Sequence, residues 1–132
     1  MTLVVDASVV VASLVDSGPD GAWAEQQLLS GPLAAPHLMP VEAANILRLA
    51  AIRGDISQDT ASLAHADLVA LRIELFPYGP FASRVWELRG NITAYDAWYV
   101  SLAESLEVKL ATLDGKLARA TGPRCNFVMP GG

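Results

Sequence analysis

A single cysteine, Cys125, and only two histidines, His37 and His65, leave this 132-residue chain little soft-ligand or imidazole chemistry. One cysteine excludes an internal disulfide, and no Cys/His spacing suits structural zinc. His37 follows Pro36 and His65 falls within SLAHADL, so both read as loop or surface residues rather than catalytic bases. Cys125, beside a short apolar segment, reads as structural. No dinucleotide fingerprint, phosphate-binding P-loop or nucleophile elbow is present. Basic residues are scarce too: nine against fourteen acidic, for a net charge of −5. The broad basic footprint of most nucleic-acid binders is therefore missing. The apolar run from Val9 to Val15 is too short to cross a bilayer. The start of the chain lacks a positive segment and is interrupted by Asp6, unlike a signal peptide. These absences point to a reducing, cytoplasmic setting with no membrane partner.

What is abundant is apolar: 52% of the residues are hydrophobic, rich in Ala, Val and Leu. A chain of this length buries roughly two-thirds of its unfolded surface, enough for one core without staples. One domain over residues 1–132 is expected, with 130–132 as a frayed tail. Thr2 to Val5 reads as a buried strand and Ser8 to Leu14 as a helix. Gly18-Pro19-Asp20-Gly21 reads as a turn, followed by a helix over Ala22 to Leu29. Leu33 to Ala35 is a short strand closed by Pro36. Pro40 opens a helix that Gly54 ends after Arg53. Ser57 caps another, from Gln58 to about Arg72. Ile73 to Pro77 is a strand, Phe81 to Leu88 a helix, and Thr93 caps a helix from Ala94 to about Leu106. Val108 to Thr112 is a strand, Asp114 starts a helix to Ala120, and Asn126 to Met129 is the last strand. This alternation predicts an α/β fold: a central, mostly parallel sheet flanked by helices.

Four acids fall at the junctions of these elements. Asp6 stands between the first strand and first helix, and Asp114 follows the strand VKLAT. Glu42 and Asp96 lie in the first turns of helices that continue as AANILRLAAI and AWYVSLA. Each alone could be a helix cap or a favourable partner of the helix dipole. Together they are harder to dismiss. Strand C-termini of a parallel sheet share one edge, where sites form. Helices as apolar as these are expected to be mostly buried, and a carboxylate rarely enters such a setting unpaired. Oxygen-only ligands suit Mg²⁺ or Mn²⁺. Without the metal, mutual repulsion should raise at least one carboxyl pKa. Such a site could activate water against a phosphodiester. The charge distribution agrees in part: from Arg84 onward there are six basic residues against five acidic, but three against nine before it.

The segments VVDASVVV, PVEAANILRLAAIRG, TAYDAWYVSLAESL and LATLDGKLARA, in this order and spacing, resemble the PIN-domain family, specifically its VapC-type toxins. The resemblance spans Thr2 to about Met129. It implies a three-layer sandwich and a Mg²⁺- or Mn²⁺-dependent endoribonuclease that cleaves cellular RNA, transfer or ribosomal, and arrests growth. It further implies a homodimer and a VapB-type antitoxin that binds it as a hetero-oligomer and inserts a basic side chain among the acids. The family's acidic positions carry over to Asp6, Glu42, Asp96 and Asp114, as metal ligands and catalytic residues. The first, third and fourth would hold the main metal, directly or through water, and Glu42 would complete the cluster and help orient the attacking water. The family's hydroxyls match Ser8 and Thr112, which would hydrogen-bond carboxylates or waters. Asn45, one helical turn after Glu42, faces water or substrate, or else bonds backbone as a partly buried amide. Gly115-Lys116 carries no specificity signal.

Arg84, Arg89, Lys116 and Arg119 are candidate phosphate contacts, each also readable as solvated surface charge. Trp23, Trp86, Trp98, Tyr95 and Tyr99 could stack on bases, although Trp98 and Tyr99 sit in an apolar helix and read as core or dimer contact. Two rivals stay open: another Mg²⁺-dependent phosphoryl-transfer enzyme, against which Asp6-Ala7-Ser8 lacks a D-x-D pair, and a non-catalytic module on the same fold.

Overall fold

The computed structural model describes residues 1–131. The chain runs β1 (Leu3–Val5), α1 (Ala7–Val15), α2 (Pro19–Leu28), β2 (Leu33–Pro36), α3 (Met39–Arg53), α4 (Gln58–Ala70), β3 (Ile73–Phe76), a 3₁₀ turn (Gly79–Phe81), α5 (Ala82–Glu87), α6 (Ala94–Leu106), β4 (Leu110–Ala111), α7 (Gly115–Ala118) and β5 (Phe127–Val128). The strands form one sheet in the order β3-β2-β1-β4-β5, and every pairing is parallel. The expected mostly parallel sheet is thus wholly parallel, as crossover helices at each strand connection require.

β1 lies at the centre, and here the order of connection reverses. β1 pairs with β2 through Leu3↔Leu33 and with β4 through Val5↔Ala111. A reversal of this kind opens a crevice outside the strand C-termini, between β1 and β4. β1 and β2 are buried along their whole length. A strand covered on both faces carries continuous apolar residues, and LVV and LAAP fit that demand. One continuous core joins them to Val9 and Val10 of α1 and to Val100 and Leu102 of α6. Burying a Val or Leu side chain stabilises by about 1.5–3 kcal/mol.

Several boundaries depart from expectation. Gly18-Pro19-Asp20-Gly21 is not a free turn. Pro19 opens α2, where its missing N–H costs nothing. Gly21 is needed there because a Cβ would stand 1.8 Å from the Asp16 carbonyl oxygen. β4 and β5 shrink to two residues each, and α7 to four. α6 is buried as expected, with Ala97, Tyr99, Val100, Ser101, Leu102 and Ala103 in the core. α3 is not: it buries only Met39, Ala43 and Leu47 and exposes Val41 and Ile52. The expected tail at 130–132 is described only to Gly131; its last residue lies outside the described residues. No helix among the described residues is long and apolar enough to cross a membrane.

Arg84 holds the far end of the sheet together. Its Nε and Nη2 donate to the two carboxylate oxygens of Glu104 at 2.8 and 3.1 Å, and Nη2 also reaches the Gly122 carbonyl at 3.0 Å. Glu104 Oε2 in turn accepts the Arg124 backbone N–H at 2.7 Å. This clamp ties α5 and α6 to the loop that delivers β5. Both side chains of the pair are mostly buried, so Arg84→Ala is expected to destabilise by about 1–3 kcal/mol. Urea denaturation checks this, and the loss should persist at high salt, unlike that of a surface pair.

Candidate active site

The site is built at the C-terminal edge of the sheet, around the β1–β4 reversal. Asp6 ends β1 in extended backbone and caps α1. Its Oδ1 accepts from the Ser8 hydroxyl and from the Val9 backbone N–H at 3.1 Å. Its Oδ2 accepts from the Thr112 hydroxyl, which is fully buried just after β4. Thr112 Oγ1 also accepts the Asp114 backbone N–H at 3.0 Å, and Ser8 Oγ accepts that of Leu113 at 3.4 Å. Ser8 and Thr112 thus zip the β1–α1 junction to the β4–α7 junction, with one carboxylate as the common acceptor. Asp6 is only 8% exposed. Burial raises its pKa against the opposing pull of Ser8, Thr112 and the Val9 and Ser8 backbone.

Glu42 comes from the first turn of α3, next to the β2 C-terminus, and is half-buried. Its Oε1 accepts the Tyr99 hydroxyl at 2.8 Å, which leaves Oε2 without a protein donor among the described residues. Burial raises the Glu42 pKa; Tyr99 lowers it, and repulsion from Asp96 and Asp6 raises it further. Asp96 lies in the first turn of α6, whose N-cap Thr93 accepts the Asp96 N–H at 3.2 Å. Burial raises its pKa first, then repulsion from Asp114, opposed by Thr93, with Asp6 adding a further push. Asp114 is exposed at the start of α7, where its Oδ1 accepts the Lys116 and Leu117 N–H groups.

The four acids therefore occupy one neighbourhood and feel each other. They do not converge on a point. Among the described residues no three His, Cys, Asp or Glu side chains form a ready-made metal cage. The expectation of a compact four-carboxylate cluster is corrected to that extent: local bonds to hydroxyls, a phenol and backbone amides hold each carboxylate back. The donor set still fits a hard divalent cation. Its donors are all oxygen, three of its carboxyls are strained toward neutrality, and the ion pairs among the described residues belong to Arg84, outside the site. Mg²⁺ keeps several waters and commonly takes only one or two carboxylates directly, so it does not demand a closed cage.

Tyr99 is the functional residue that the sequence reading missed. It is 2% exposed, as core packing suggested, yet its hydroxyl turns toward Glu42. The available signal was its place three residues after Asp96, on the same helical face. Tyr99→Phe is expected to leave stability within about 1.5 kcal/mol and to weaken Mn²⁺ binding about tenfold, because Glu42 loses the donor that orients it. Calorimetric Mn²⁺ titration checks it. Asn45 is exposed and makes no hydrogen bond among the described residues, so the buried-amide alternative falls.

The basic and aromatic candidates divide. Arg84 is committed to Glu104 and Glu87, which removes it from the phosphate candidates. Arg89 lies over Trp86, 4.6 Å from the ring centroid. Trp98 packs edge-on to Tyr78. Lys116 and Arg119 are exposed on α7, beside Asp114. A cavity of about 510 Å³ lies at the opposite, N-terminal edge of the sheet, around Lys109, Cys125 and Asn126, and a second of about 600 Å³ runs along β5 from Asn126 to Met129.

Comparison with known proteins agrees with this fold. A family model for the PIN domain matches residues 3–123. The chain is 38% identical over 125 residues to Ribonuclease VapC1 of Mycobacterium tuberculosis, covering 94% of both chains. Among solved structures it is similar to PAE2754 from Pyrobaculum aerophilum, with TM-score 0.71 and 27% identity over 96% of this chain and 83% of that one. It also shares the fold of VapBC2 from Rickettsia felis, solved bound to a promoter DNA fragment, with TM-score 0.68 and 14% identity over 98% of each chain. A family match across nearly the whole sheet, with a full-length relative at this identity, shows that the chain belongs to the PIN-domain family and groups with its VapC-type members.

Proposed function

We propose that the chain is a Mg²⁺- or Mn²⁺-dependent endoribonuclease that acts as the toxin of a toxin–antitoxin pair. The observation that carries this reading is the gathering of Asp6, Glu42, Asp96 and Asp114 at element starts along one sheet edge, where, among the described residues, no basic side chain is ion-paired to them. Kinship with a protein named Ribonuclease VapC1 supports RNA as the substrate.

Asp6, Asp96 and Asp114 would hold the cation, directly or through water, with Glu42 completing the set. A bound divalent ion supplies charge neutralisation and a more acidic water. Ser8 and Thr112 fix the Asp6 carboxylate by donating to both its oxygens. Tyr99 fixes Glu42 through Oε1. Glu42 Oε2 then remains to accept a proton from an attacking water. A carboxylate whose pKa is raised by burial suits that task better than an ordinary one.

A VapB-type antitoxin and a second copy of the chain are the protein partners of this reading, in the cytoplasm. The exposed apolar side chains Val41, Ile52, Leu63 and Val69 on α3 and α4 are surface that protein partners would cover. The test is sequencing of RNA 5′ ends after brief induction, wild type against Asp6→Asn. New ends are expected only with the wild type, in transfer or ribosomal RNA. Phosphate release from a monoester without new RNA ends would instead establish a phosphatase, and growth arrest that survives Asp6→Asn would establish a non-catalytic module.

A further inference from the structure

We propose that Arg119, seated on Gly115, grips a phosphate of the RNA strand beside Asp114; this rests on the ribonuclease reading above. Arg119 closes α7, and its side chain folds back one turn to Gly115, the residue next to Asp114. A Cβ at position 115 would stand 2.8 Å from Arg119 Nη1 and 3.6 Å from Cζ. The bare glycine is therefore the surface on which the guanidinium rests. Side chains on a helix lean toward its N-terminus, so this seat aims the cation at the acidic edge rather than away from it.

Arg119 is exposed, and its side chain makes no hydrogen bond or ion pair among the described residues. The other cations in this half of the chain are differently placed. Arg84 is locked to Glu104, and Arg89 is stacked on Trp86. Lys109 and Arg124 line the cavity at the far edge of the sheet. Lys116 is exposed on α7. An edge carrying four carboxylates repels a polyanion, so an RNA strand entering it needs a fixed positive contact. Arginine suits that role, because its planar fork bonds two phosphate oxygens at once.

Gly115→Ala offers a clean test. The three atoms nearest the new methyl all belong to the Arg119 guanidinium, the far end of a flexible side chain, so the fold should persist while the guanidinium is displaced. The substrate is an RNA oligonucleotide spanning the cut site mapped by 5′-end sequencing. Arg119→Gln and Gly115→Ala should each raise KM about tenfold with kcat little changed. Each should also flatten the fall of log kcat/KM with log salt by about 0.7, the value for one single-strand phosphate contact. Combining the two should cost no more than either alone, because both remove the same contact. Mn²⁺ binding by calorimetry should be unchanged. Unchanged KM and salt slope in Arg119→Gln overturn this proposal alone, as does an equal loss in Lys116→Gln, which would mark diffuse surface charge. A wild-type chain that leaves cellular RNA intact overturns both this proposal and the ribonuclease reading.

Discussion

Asp6→Asn is expected to cut RNA cleavage by at least about a hundredfold while making the metal-free protein slightly more stable. The first half follows from position. Asp6 is the most buried of the four acids, and it sits at the reversal point between β1 and β4. Removing its charge removes a principal ligand, and a mutation beside a metal ligand already costs 10–100-fold. The second half follows from burial. The folded-state pKa of Asp6 is raised, so ionising it works against folding. The sign is fixed by that direction: stability is fully present below the unfolded carboxyl value and is lost as pH rises through the folded one. Asparagine keeps an oxygen for Ser8 and the Val9 N–H. Its amide can donate to Thr112 Oγ1, which turns its own proton elsewhere. Thermal unfolding in EDTA at neutral pH should therefore show a higher Tm for Asp6→Asn than for the wild type. With Mn²⁺ added the order should reverse, because only the wild type gains binding energy. A variant that loses activity and also melts lower in EDTA would mark Asp6 as a structural cap and not as a carboxylate held for a cation.

Much of this site was legible because a parallel sheet leaves the sequence few choices. Once TLVV and VKLAT read as strands, the residues after them had to share one edge, and Asp6 and Asp114 were placed together before any contact was known, while Thr112 came only from the family resemblance. What was not legible depended on partners far apart in the chain. Glu42 and Tyr99 are 57 positions apart, and nothing local says that the phenol turns toward the acid rather than into the core. Arg84 read as a phosphate candidate because its partner Glu104 is 20 positions away. The burial of α3 was overestimated from AANILRLAAI because an apolar stripe signals a covered face without saying whether another chain does the covering. Gly115 carried no signal, since a glycine opening a short helix has many local reasons to be there. Its use appears only when the Arg119 guanidinium is found lying across it. The compactness of the acidic cluster was misjudged for a different reason. Composition counts carboxylates, whereas their spacing is set by the hydroxyl, phenol and amide groups that each one finds first.

Thr112→Val isolates one of those groups. The swap nearly preserves shape, so packing at this fully buried position should survive. It deletes the hydroxyl that donates to Asp6 Oδ2 and accepts from the Asp114 N–H. A buried carboxylate left one donor short is expected to cost about 1.5–3 kcal/mol at neutral pH. The cost must depend on pH, with a defined sign. The Thr112 bond lowers the Asp6 pKa, so its loss raises an already raised value further. Well below the folded-state values Asp6 is neutral in both proteins, and the lost acceptor for the Asp114 N–H alone separates the variant from the wild type. As pH climbs through the folded-state values, the wild type ionises first, and the gap between the two widens until both are charged. Urea denaturation of the metal-free proteins at pH 4 and pH 8 checks this, and Thr112→Ser, which keeps the hydroxyl, should recover most of the difference. A penalty equal at both pH values would mean that Thr112 acts through packing and the Asp114 N–H, not through Asp6. A penalty that grows with pH would mean that this hydroxyl, beside Ser8 and the backbone donors, helps keep Asp6 ionised in a dry setting, in the charge state that a divalent cation requires of it.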